Sequence, residues 1–317
     1  MGRRLRTFAP KGIHIRRPDI VDAALAPSRK TTFGAAMNLV PSLFISHGSP
    51  MWALEPGLLG PALQRLGRAL TDITAIVIVS PHWQTRGTRV AATTAPETIH
   101  DFSGFPAPLY ALRYAPPGDP ALAAEATRML VDAGFDAAID AQRGLDHGAW
   151  VPMRYLRPGA DVPVLQVSLP YDLDAAGALR LGQALAPLRA RGVLVVGSGS
   201  LTHNLYEFRQ HIRDPEYAQS FVDWVADAVR RRDVDALLHY RERAPHAARA
   251  HPSEEHYLPL LVAIGASHAG ETATLIEGGM THGVLSMDSF GFGVPEAATR
   301  QPAESAARAS SRGASAS

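Results

Sequence analysis

The chain of 317 residues contains no cysteine. This excludes disulfides, thiol nucleophiles, iron–sulfur clusters and cysteine-ligated zinc, so any metal must be held by nitrogen and oxygen. No apolar run approaches the ~18 residues that a membrane helix needs. Neither sign of charge prevails, since 31 Lys and Arg against 30 Asp and Glu leave a formal net charge of +1. That balance argues against a nucleic-acid-binding face. The expectation is a cytoplasmic protein with no nucleic-acid or membrane partner. A Walker phosphate loop, a Gly-x-Ser-x-Gly elbow and a His-Glu-x-x-His zinc motif are also missing. Gly197-Ser198-Gly199 lacks the third glycine of a dinucleotide fingerprint.

What is present is an apolar fraction of 46%, enough for a full core. Residues 1–37 are basic, without the apolar segment of a secretory signal, and are expected to be a disordered leader. From residue 296 the chain is rich in Ala, Ser and Arg and is expected to be a disordered tail, 296–317. Residues 38–295 are left as one folded domain. Runs rich in Val, Ile and Leu at 40–46, 75–80, 162–168 and 192–197 mark buried strands, with weaker ones at 89–94 and 272–277 and a last strand at 283–290. Amphipathic stretches at 58–70, 120–133, 175–191, 216–231 and 256–264 predict helices. Ser253 is a candidate cap for the last of these. The alternation predicts a single α/β domain: a central, mostly parallel sheet with helices on both faces.

The thirteen histidines matter by position. His47, His82 and His203 each fall just past the carboxyl end of a predicted strand, the edge where open α/β sheets bind ligands. His147 and His256 fall at turns entering helices. A lone histidine at such a place is usually a structural hydrogen-bonding residue, but several converging on one edge predict a shared metal pocket there. His14, His211, His239, His246, His251, His268 and His282 lack this placement, and His100 is intermediate.

Six segments carry these histidines in order: Ser46-His47-Gly48-Ser49-Pro50, Ser80-Pro81-His82-Trp83, Ile99-His100-Asp101-Phe102-Ser103-Gly104-Phe105-Pro106, Leu145-Asp146-His147-Gly148-Ala149-Trp150, Thr202-His203-Asn204-Leu205 and Glu255-His256-Tyr257-Leu258-Pro259. Together they resemble the class III extradiol ring-cleavage dioxygenases, in particular the DOPA-dioxygenase-type branch. The resemblance spans residues 41–293. It implies one mononuclear site holding Fe(II) or Zn(II), and opening of a catechol-type ring by O2 beside its two hydroxyls. It makes His47, His82 and His256 metal ligands. His203 becomes a proton-transfer residue that also reaches the metal, and His147 a catalytic residue orienting substrate or oxygen. His256 stands where the wider class has a glutamate, and an all-histidine set suits zinc as well as iron. Phe102, Phe105 and Tyr110 are candidates for an apolar wall against a flat substrate, or for an ordinary packed loop. A zinc hydrolase on the same site and a non-catalytic metal-binding partner protein stay open as alternatives.

Overall fold

The computed structural model describes residues 39–210, 214–295 and 298. The expected leader and all of the expected tail but residue 298 lie outside them. Among the described residues ten strands form: β1 (Ser42–Ser46), β2 (Ala75–Thr85), β3 (Thr88–Ala91), β4 (Ala137–Asp140), β5 (Val164–Pro170), β6 (Val193–Gly199), β7 (Ala273–Ile276), β8 (Met280–Thr281), β9 (Leu285–Ser286) and β10 (Ser289–Phe292). Eight of them make one sheet in the order β4-β3-β5-β2-β6-β1-β10-β7. Its centre, β5-β2-β6-β1, is parallel throughout. On one flank β10 and β7 pair antiparallel; on the other β3 runs antiparallel to β5 and parallel to β4.

The central strands are continuous apolar runs because both of their faces are covered. Alternate residues enter two cores. Ile76 and Ile78 join Leu43, Ile45, Leu194 and Val196 beneath the helices Leu59–Ala69 and His147–Leu156. Val77 and Val79 join Leu165, Val167, Val193 and Val195 beneath the helices Pro120–Asp132, Ala175–Leu185, Pro215–Arg231 and Leu258–Ala266. The last of these is buried on every side, in keeping with a helix that is apolar all round. Among the described residues no helix is long and apolar enough to cross a membrane.

Four expectations need correction. β2 continues to Thr85, and its pairing with β5 shifts register between Val79 and Gln84. Pro81 has no N–H to give to the ladder, so His82 sits inside an irregular stretch of strand rather than after it. The helix expected over 256–264 begins at Leu258, with Pro259 in its first turn, and Ser253 donates to Glu255 Oε1 at 3.0 Å instead of capping. The helix expected over 175–191 ends at Leu185 and tightens into a 3₁₀ turn, Ala186–Arg191. There Pro187 removes a helix-propagating N–H. The last strand is divided into β9 and β10.

Candidate metal centre

His47 follows β1 directly, and its backbone N–H donates to Gly199 O, at the end of β6, at 2.9 Å. Gly48 has φ +55 and lies against Met287, so the chain turns sharply away from the strand and leaves the imidazole over the sheet edge. Asp146 caps the next element. Its buried carboxylate accepts from Ser80 Oγ at 2.8 Å, Ala149 N at 3.2 Å and Arg143 Nη2 at 3.2 Å. The helix His147–Leu156 thereby starts between the ends of β1 and β2. Gly148 makes that approach possible: a Cβ there would lie 2.4 Å from Ser80 Oγ, 3.0 Å from His82 Cδ2 and 3.2 Å from His47 Cε1.

Five histidines meet at this place. His47 Nε2 is 3.1 Å from His82 Nε2, which is 3.3 Å from His256 Nε2. A ring nitrogen of His147 lies within 4.8 Å of ring nitrogens of His47 and His82, and one of His203 within 4.8 Å of His256 and Glu255. Two such groupings can be drawn, His47 with His82 and His147, and His203 with Glu255 and His256, and the 3.3 Å approach of His256 to His82 links them. Nitrogens each ~2.0–2.1 Å from one tetrahedral ion stand roughly 3.4 Å apart.

Hydrogen-bond partners fix the tautomers. Ser198 Oγ donates its only proton to Gly148 O at 2.5 Å, so at 3.0 Å it can only accept from His47 Nδ1. His47 therefore carries its proton on Nδ1 and a lone pair on Nε2. His256 Nδ1 donates to Glu255 Oε1 at 2.9 Å, which again leaves a lone pair on Nε2. His82 Nδ1 faces the Asp101 carboxylate at 3.6 Å. A proton on His82 Nε2 can serve only one of its two neighbours.

Burial, and then the proximity of the other imidazoles, hold His47 and His256 well below the ordinary histidine range. Burial lowers His82 in the same way, with His147 adding to it and Asp101 opposing. Neutral imidazoles at pH 7 are what metal binding requires. His203, lowered by burial and then by His147 to about 4, is neutral as well. Its ring stacks on His256, with centroids 3.4 Å apart and planes at 11°.

The aromatic segment lies alongside. Phe102 is 5.7 Å from the His147 ring, nearly perpendicular to it, and packs against Phe105 at 5.4 Å and Tyr110 at 5.3 Å. His100 donates to Leu112 O and abuts Phe102, outside the histidine cluster. Of the histidines set aside on sequence, His251 is wholly buried in the core and His239, His246, His268 and His282 are exposed; His14 and His211 lie outside the described residues. A groove of about 710 Å³ bounded by Arg86, Tyr171 and Arg180 contains none of the clustered side chains.

Sequence reasoning passed over Asp101. Its carboxylate accepts from both His147 N (2.8 Å) and His147 Nδ1 (2.9 Å). Burial raises its pKa, but the hydrogen bonds from His147 and the proximity of the His147 and His82 rings outweigh this and hold it down at about 2. The available signal was an acidic residue in a histidine-bearing loop. Nothing in the sequence said that the loop folds back onto a helix 46 residues later.

The family of the catalytic LigB subunit of aromatic ring-opening dioxygenase matches residues 42–283. The chain belongs to this family. It is a metal-dependent extradiol ring-cleaving dioxygenase, which sets aside the hydrolase and non-catalytic alternatives. It is 38% identical to the 4,5-DOPA dioxygenase extradiol of Beta vulgaris over 271 residues, covering 82% of this chain and 98% of the relative. It is 40% identical to the protein of that name from Escherichia coli K12 over 260 residues, covering 80% and 95%. A crystal structure of an uncharacterized protein from Escherichia coli K12 superposes with a TM-score of 0.67 at 35% identity, covering 79% of the dioxygenase and 98% of that chain.

Proposed function

We propose that the dioxygenase opens a catechol-type ring at one ion held by the Nε2 atoms of His47, His82 and His256. The observation that carries this reading is the approach of three lone-pair nitrogens at 3.1 and 3.3 Å. When bound, the ion supplies Lewis acidity toward the catechol oxygens and, if it is iron rather than redox-inert zinc, a path for electrons from catechol to dioxygen.

The remaining roles belong to the chain. His203 takes the proton of a substrate hydroxyl. It is neutral at pH 7, and its ring lies nearly parallel to that of His256 with centroids 3.4 Å apart, so its in-plane lone pairs do not share the plane of the His256 Nε2 lone pair. This favours a base over a fourth ligand. His147 offers Nε2 to substrate or oxygen, since its Nδ1 is engaged by Asp101. Phe102, Phe105 and Tyr110 wall the pocket against a flat ring and keep water from it. The names of the relatives make DOPA the first substrate to try.

The test uses protein loaded anaerobically with Fe(II) or with Zn(II), supplied with DOPA under air and under nitrogen. Iron-loaded protein in air should consume oxygen and form a ring-opened semialdehyde; zinc-loaded protein and the nitrogen controls should not. Turnover without oxygen would overturn the reading.

A further inference from the structure

We infer that Asp101 is a positioning residue: it locks His147 in the tautomer with its proton on Nδ1, so that Nε2 meets the substrate as a proton acceptor. This rests on the role proposed above for His147. Asp101 lies in the loop after Thr98, whose bridge to Leu145 ties that loop to the segment leading into the His147 helix. Its Oδ1 accepts from the His147 backbone N–H at 2.8 Å and its Oδ2 from His147 Nδ1 at 2.9 Å. Both donors belong to one residue at the first position of a helix, so the carboxylate fixes backbone and ring together. Oδ2 also faces His82 Nδ1 at 3.6 Å. One oxygen thus stands between the pocket histidine and a proposed metal ligand.

The lock follows from counting donors and acceptors. An ionised carboxylate only accepts, so a nitrogen hydrogen-bonded to it must bear hydrogen. An imidazole with hydrogen on Nδ1 is, when neutral, a lone-pair acceptor at Nε2. Asn in place of Asp keeps the shape but supplies one oxygen and one NH2. The His147 backbone N–H cannot give up its hydrogen, so it takes the oxygen. The NH2 then faces Nδ1 and is satisfied only if that nitrogen loses its proton to Nε2. Asp101→Asn should therefore invert the tautomer with little change of shape. A comparable carboxylate-to-amide change behind a catalytic histidine lowers kcat by about 10⁴ through the wrong tautomer.

The measurement is a two-bond 1H–15N correlation spectrum of the full-length, 15N-histidine-labelled, zinc-loaded protein, with His147 assigned through His147→Gln. Wild-type His147 should carry hydrogen on Nδ1, and Asp101→Asn should move it to Nε2 with the zinc content unchanged. In iron-loaded protein, Asp101→Asn should lower kcat by about 10²–10⁴ while KM stays within a few-fold. A wild-type His147 protonated on Nε2 would overturn the inference, whether or not the variant folds. So would an unchanged tautomer in Asp101→Asn, or a fall in kcat without a tautomer change. Loss of zinc with an unchanged tautomer would place the carboxylate's role on His82 instead. The tautomer is read without substrate, so it stands or falls separately from ring opening.

Discussion

His47, His82, His147, His203 and His256 share one residue type, and what engages the rest of each ring separates their roles. His47 leans on Ser198, His256 on Glu255 and His82 faces Asp101, each through Nδ1. Such partners orient a ligand and raise its basicity. His47→Ala, His82→Ala and His256→Ala should each lose the metal and, with it, activity, as read by metal analysis beside oxygen uptake. His147→Ala should keep the metal and lose roughly 10²–10⁴ in turnover. His203→Ala should follow His147→Ala; loss of metal in that variant would make His203 a fourth ligand. At this scale the sequence was informative where a histidine ended an apolar run, as at His47 and His203. It was silent where the partner came from another element. Asp101 and Ser198 find their histidines through tertiary structure, whereas Glu255 is the immediate neighbour of His256, and no local spacing records that Ser198 Oγ reaches Gly148 O.

Among the elements, the start of the helix His147–Leu156 does most to assemble the site. Gly148 lets it pass between His47 and His82, and Asp146 pins it through Ser80, Gln166 and Arg143. Gly148→Ala should therefore weaken metal binding and destabilise the fold by about 1–3 kcal/mol, as overpacking does. Metal titration and thermal unfolding would check this, and an unchanged metal affinity would show that the three elements have slack. The parallel strands were legible because burial on both faces gives each an unbroken apolar run. β4 was not: Ala137–Asp140 is a short, half-buried edge strand with neither alternation nor a long run. β8 and β9 have two residues each, too few to leave any period. The extension of β2 past Pro81 was hidden because proline ordinarily ends a strand in the middle of a sheet.

At the scale of the whole molecule, buried neutral histidines tie stability to pH. Burial is the main cause that lowers His251 to about 3, although its bond to Leu201 O opposes it. The unfolded chain has an ordinary histidine there, near 6.5. Between pH 6.5 and about 3 the unfolded state thus binds a proton that the folded state refuses, so stability falls as pH drops through that window. Each such proton contributes a slope of about 1.4 kcal/mol per pH unit. His251→Gln should remove about one proton from the slope of unfolding free energy against pH in metal-free protein, whatever it does to stability at pH 7. An unchanged slope would mean that His251 is protonated in the fold.

Whether one ion joins the three nitrogens can be read by anomalous diffraction at the iron edge from crystals of iron-loaded protein. One anomalous peak per chain is expected, bonded to Nε2 of His47, His82 and His256, with the His147 ring still on Asp101. A peak bonded to His147 in place of His256, or none within this cluster, would contradict it.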